Sequence, residues 1–151
     1  MNTSFSRSAV SAPESPVTTG PQRRKVLIVE DEPSIRSVLY ALLSGLGCDG
    51  EVADNGQQAL ALISRDRFDA VLLDLRCSNL RAEDLVPQIS EIRPSLVGRV
   101  LVITGEVADA KTMELIEQNF LLQVPDYQLL QNLRGWLRAL LGIPPSPNHV
   151  A

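Results

Sequence analysis

The sequence predicts an α/β fold: a five-stranded parallel sheet covered by helices on both faces. Two observations predict it. Short apolar runs alternate along the chain with longer stretches of helical apolar spacing. The first, third and fourth runs are also apolar throughout, as the buried central strands of a parallel sheet should be.

Taken in order, Val26-Leu27-Ile28-Val29 reads as the first strand. Pro33 then suits a first helical turn, where its missing N–H costs nothing. Ile35, Val38, Leu39, Leu42, Leu43 and Leu46 follow at helical spacing, and Gly47 is a stop signal. A short second strand is expected at 50–53; Asp49 and Glu51 mark it as an edge. The second helix spans 57–64, with Ala59, Leu60 and Ile63 inward. Ala70-Val71-Leu72-Leu73 is the third strand. A helix over 83–92 ends before Pro94, because the residue preceding proline disfavours helix. Val100-Leu101-Val102-Ile103 is the fourth strand, followed by a helix over 108–118. Phe120-Leu121-Leu122 is assigned to the fifth strand, and a last helix to 126–141. Within that helix Trp136 shares a helical stripe with Leu129, Leu133, Leu137 and Leu140 and is expected in the core. Gly135 in its interior suggests close packing against a neighbour.

The 151 residues suit one domain with a sizeable core. Residues 1–22 are rich in Ser, Thr and Pro and are expected to form a disordered tail, 23–141 the domain, and 142–151 a second loose end. With 44% hydrophobic and 21% charged residues the composition is that of a soluble globular chain. A net charge of −4 is a poor basis for gripping nucleic acid, so no direct nucleic-acid partner is expected. The short run Arg23-Arg24-Lys25 reads as a solvated lead-in. No apolar run approaches the ~20 residues of a membrane span, and no secretory signal is visible, so a cytoplasmic place is expected and no membrane partner. Cys48 and Cys77 have neither metal-ligand nor disulfide spacing and read as reduced thiols. His149 is the sole histidine. No glycine-rich nucleotide loop occurs.

In an open parallel sheet, ligands bind at the C-terminal strand ends. The first strand runs into Glu30-Asp31, the third into Asp74 and the fourth into Thr104-Gly105. Three carboxylates and a hydroxyl therefore converge on one rim. Carboxylates that close repel each other, and a hard divalent cation such as Mg²⁺, which favours oxygen ligands, relieves the repulsion.

The segments Val26-Leu27-Ile28-Val29-Glu30-Asp31-Glu32-Pro33, Asp69-Ala70-Val71-Leu72-Leu73-Asp74-Leu75-Arg76 and Val100-Leu101-Val102-Ile103-Thr104-Gly105 resemble the receiver domains of response regulators. Asp54-Asn55-Gly56 before the second helix adds to the likeness, which covers 25–141. The resemblance implies a flavodoxin-like doubly wound sheet with strand order 2-1-3-4-5. It implies that Asp74 takes a phosphoryl group from a histidine kinase or phosphotransfer protein and signals through a downstream partner. It makes Glu30, Asp31, Asp74 and the backbone carbonyl of Arg76 the Mg²⁺ ligands, with Thr104 and Gly105 touching the phosphoryl group. It also implies a homodimer surface on the fourth and fifth helices, and a non-enzymatic module. The Met1 start and the two tails favour a stand-alone regulator.

The chain departs from the family pattern at the end of the fifth strand, where the family has lysine followed by proline. The only lysines are Lys25 and Lys111. In Leu122-Gln123-Val124-Pro125-Asp126 either Gln123 or Val124 takes the lysine's place. Arg76, two residues after Asp74, and Glu106, two after Thr104, are candidate modulators, with Arg76 supplying part of the missing charge or gating water. The usual aromatic of the fifth strand is replaced by Leu121, with Phe120 beside it, and Asn79 is expected to shape the loop after Asp74. These losses motivate an alternative: a pseudo-receiver that binds partners without phosphorylation.

Overall fold

The computed structural model describes residues 23–77, 80–105, 109–125 and 129–143. The elements are β1 (Lys25–Val29), α1 (Pro33–Gly45), β2 (Asp49–Ala53), α2 (Gly56–Arg65), β3 (Ala70–Asp74), α3 (Ala82–Ile92), a 3₁₀ turn (Pro94–Leu96), β4 (Val100–Thr104), α4 (Ala110–Gln118), β5 (Leu122–Pro125) and α5 (Leu129–Leu141). The five strands form one sheet in the order β2-β1-β3-β4-β5, and every pairing is parallel. This is the flavodoxin-like arrangement expected from the sequence.

Alternate side chains of each strand feed two cores, as the pleat dictates. Val26 and Ile28 of β1, Leu72 of β3, and Leu101 and Ile103 of β4 pack with Leu39 and Leu43 of α1 and Leu133 and Leu137 of α5. Leu27 and Val29, Val71 and Leu73, and Val100 and Val102 face α2, α3 and α4. Helices on both faces force β1, β3 and β4 to be apolar at every interior position, and these strands are buried nearly end to end. The first helices start as their sequences dictate. Pro33 opens α1. The Asn55 side chain caps α2 by accepting from the Gln58 N–H at 2.8 Å, and Asp109 caps α4 by accepting from the Thr112 N–H at 2.8 Å. Gly47, with φ of 78°, turns the chain from α1 into β2.

Several sequence expectations need correction. Strand five is Leu122–Pro125, not Phe120-Leu121-Leu122. Phe120 holds a left-handed φ of 56° and is exposed, while Leu121 is buried just before the strand. An apolar triplet mimicked a strand although its first residue turns the chain. Trp136 is exposed, not core. The buried stripe of α5 runs through Leu133, Leu137 and Leu141, four residues apart, and Trp136 sits off it. Gly135 is not closely packed: a Cβ there would meet nothing within 4 Å. The basic run at 23–25 is engaged, not merely solvated. Arg23 pairs with Asp49 at 2.7 Å, and Arg24 donates to the Leu141 carbonyl that ends α5. Both cysteines are free and buried. Residues 1–22 and 144–151, Asn79, Glu106 and His149 lie outside the described residues.

Pro87 lies inside α3, where the sequence reading had no breaker. Having no N–H, it leaves the Glu83 carbonyl without its helical donor. Pro87→Ala is expected to raise the unfolding free energy by about 1–3 kcal/mol, seen as a higher urea midpoint. An unchanged or lower midpoint contradicts this account of α3.

Candidate functional site

The site is built where β1, β3 and β4 end. Central parallel strands must be apolar within the sheet, so polar side chains first appear where the strands leave it. Glu30 follows β1, and its N–H donates to the Ala53 carbonyl, continuing the β1–β2 pairing one step. Asp74 is the last residue of β3, and Thr104 the last of β4. All three are buried, at 1%, 2% and 2% exposure respectively. Asp31 is half-buried beside them.

Buried carboxylates must be paired or neutralised, and the two here resolve this differently. Oδ1 of Asp74 accepts from the Arg76 backbone N–H at 2.9 Å and from Arg76 Nε at 2.8 Å. Oδ2 accepts from Arg76 Nη2 at 2.7 Å. The guanidinium thus grips both oxygens in the two-pronged geometry that suits arginine and carboxylate. Burial alone pushes the Asp74 carboxyl up, but the Arg76 and Glu30 hydrogen bonds outweigh it and hold it below the usual range. Among the described residues no cation pairs with Glu30. Its Oε2 accepts from the Glu32 N–H at 3.0 Å and from the Cys77 thiol at 3.5 Å. Its Oε1 is buried with no hydrogen-bond partner. Burial first, then the neighbouring Asp74, push the Glu30 carboxyl up to about 7. Glu30 therefore keeps its proton to higher pH than Asp74, which carries the charge.

Sequence reasoning overlooked Cys77 as part of this pocket. Its Sγ and one carboxylate oxygen each of Glu30 and Asp31 lie within 4.8 Å of one another. Burial pushes its thiol up to about 12, so it stays protonated. The available signal was position: Cys77 stands three residues after Asp74, on the loop that follows β3.

On the other side of Asp74, Thr104 Oγ1 accepts from the Gln123 side-chain amide at 3.1 Å. Val124 is fully buried in the core shared with α1 and α5. Gly105 follows Thr104, half-buried, with open space around it. Glu30, Asp31, Asp74, Arg76, Thr104, Gly105 and Gln123 are thus brought to one end of the sheet.

The donor set fits a hard divalent cation. Carboxylate oxygens dominate it, and the orphaned Oε1 of Glu30 is a buried acceptor that a cation would satisfy. The Asp74 oxygens, by contrast, are already engaged by Arg76.

The response regulator receiver domain family model matches residues 26–124. A response regulator receiver protein of Anaeromyxobacter is 38% identical over 86 residues, which is 57% of this chain and 35% of that protein. The response regulator MprA of Mycolicibacterium vanbaalenii is 30% identical, over 78% of this chain and 50% of its own length. This chain thus spans about a third to a half of these two relatives. Among solved structures, a receiver domain of the sensor histidine kinase PA1611 from Pseudomonas aeruginosa superposes with a TM-score of 0.66 at 25% identity. The match covers 80% of this chain and 99% of that one, whose active-site cleft coordinates a magnesium ion. A CheY-like receiver domain from Methanospirillum hungatei, at 19% identity and a TM-score of 0.64, shares the fold over 80% of this chain and 98% of its own. No helix among the described residues is long and apolar enough to cross a membrane. Sheet order, acidic pocket and family match agree, and the chain belongs to the response regulator receiver domain family.

Proposed function

We propose that this chain accepts a phosphoryl group on Asp74 from a phosphorylated histidine kinase or phosphotransfer protein and signals through a downstream partner protein in the cytoplasm. The observation that carries this reading is Asp74 itself: a buried, ionised carboxylate at the end of β3, with Glu30 against it and Thr104 on the adjoining strand.

A carboxylate held in its charged form is a ready oxygen nucleophile. One Asp74 oxygen attacks the phosphorus. An O–P bond forms as the P–N bond to the donor's imidazole breaks, and the electron pair returns to the imidazole nitrogen, which takes up a proton from solvent. Glu30, Asp31, Asp74 and the Arg76 backbone carbonyl would hold Mg²⁺, whose charge offsets that of the phosphoryl oxygens. Thr104 Oγ1 and the Gly105 N–H would hydrogen-bond those oxygens. Gln123 stands in the family's lysine place in this reading, because its side chain reaches Thr104 while Val124 points into the core. The amide offers hydrogen bonds but no charge.

In this reading 23–141 is the receiver unit. Met113, Phe120 and Trp136 leave apolar area exposed on and between α4 and α5, and a homodimer through these helices is part of the proposal. The reaction is tested with Mg²⁺ and acetyl phosphate as donor. Intact-mass measurement should show the gain of one phosphoryl group in the wild type and none in Asp74→Asn. A wild type that gains nothing overturns the proposal and leaves a module that binds without phosphorylation.

A further inference from the structure

We propose that the Arg76 guanidinium is a gate on Asp74, competing with the divalent cation for the same carboxylate oxygens. The inference deepens the reading of Asp74 as phosphoacceptor and rests on it.

The geometry leaves little room for both occupants. A carboxylate offers about four lone-pair positions. Three hydrogen bonds from Arg76 fall on Asp74, two on Oδ1 and one on Oδ2. The two from the guanidinium bridge both oxygens and leave about one position, on Oδ2, so a cation that takes Asp74 as a ligand there must crowd the prong on that oxygen. Two like charges then stand against one carboxylate, which drives the guanidinium off further.

Loss of a proton cannot release the clamp, because a guanidinium keeps its charge at any ordinary pH. The gate responds to cations, not to pH. The two partners also differ in exposure. The Asp74 side chain is 3% exposed and fixed at a strand end, whereas that of Arg76 is 31% exposed and sits on the loop after β3. The arginine is therefore the partner that can swing into water, where its charge is solvated at little cost. Its backbone N–H can stay on Oδ1 while the guanidinium departs.

The rest of the pocket makes this exchange consequential. Among the described residues no ion pair engages Glu30 or Asp31, which lie beside Cys77. Gln123 contributes no charge near Thr104. The electrostatic state of Asp74 is thus set by which of two cations holds it.

The test is a Mg²⁺ titration of the full chain, followed by calorimetry or backbone amide shifts. The proteins compared are wild type, Arg76→Ala and Arg76→Met, the last keeping an aliphatic stem on the loop. Removing a charge-assisted clamp should tighten Mg²⁺ binding by at least about tenfold in both variants. The gain should vanish when Asp74→Asn is added, since the competition is for that carboxylate. Affinities within about twofold of wild type, or a gain that survives in the Asp74→Asn background, overturn the gate. Acetyl phosphate uptake by Arg76→Ala, measured separately, reads the acceptor assignment. Uptake with no gain in Mg²⁺ affinity removes the gate and keeps the acceptor. A gain in affinity with no uptake keeps the competition and removes the acceptor.

Discussion

Glu30→Gln is expected to stabilise the fold by roughly 1–3 kcal/mol near pH 8, with the gain shrinking towards pH 5. The folded protein holds the Glu30 carboxyl at about 7, against a usual value of 4.5, chiefly through burial and then through the adjacent Asp74. Between those two values the folded chain binds more protons than the unfolded chain. Stability therefore falls as pH rises through this window and levels off above it. Glutamine keeps the shape and removes the charge, so the variant escapes the loss. Asp74 carries the opposite sign. Its carboxyl is held below the usual 3.8 despite burial, by Arg76 and Glu30. Its contribution is present above that value and is lost as pH falls further. Urea unfolding below pH 3.8 reads the Asp74 effect, and unfolding from about pH 5 to pH 8 reads that of Glu30. A gain from Glu30→Gln that is equal at both ends of the range contradicts the assignment of the proton to Glu30.

Leu72→Ala should cost about 2–5 kcal/mol, a large part of the ~5–15 kcal/mol that holds a typical domain together. Leu72 is fully buried in β3. It lies between Ile28 of β1 and Leu101 of β4 in register, on the face covered by α1 and α5. A dense core cannot close over the void without moving a central strand. Asp74 sits two residues further along that strand, so the site should loosen with it. Leu72→Met, which nearly conserves volume, should cost less than about 1.5 kcal/mol. Thermal and urea unfolding of the two variants decide the point; equal small losses would place Leu72 outside a tightly packed core.

The sheet was legible because the two-sided burial of β1, β3 and β4 writes itself as unbroken apolar runs, and the acids that follow them mark the rim. The fifth strand was misplaced because Phe120-Leu121-Leu122 has strand composition, while the turn at Phe120 is a backbone property that composition does not carry. Trp136 was misread for a related reason. Its spacing fits a broad apolar stripe, but which edge of the stripe meets the sheet depends on the roll of α5 against the core. In the pocket, the residues adjoining strand ends were found by register alone. The two-pronged contact of Arg76 with Asp74 and the reach of Gln123 to Thr104 depend on side-chain rotamers and on loop path. Cys77 went unnoticed because a single thiol has no spacing to signal it; only folding brings it against Glu30.

The claim on which the rest depends is that the Asp74 carboxylate bonds to phosphorus. An aspartyl phosphate is an acyl phosphate, so borohydride reduces its carbonyl carbon and expels phosphate, leaving homoserine at the modified position. After incubation with Mg²⁺ and acetyl phosphate, reduction and peptide sequencing by mass spectrometry should find homoserine at position 74. Homoserine at another carboxylate, such as position 30 or 31, or at none, would contradict it.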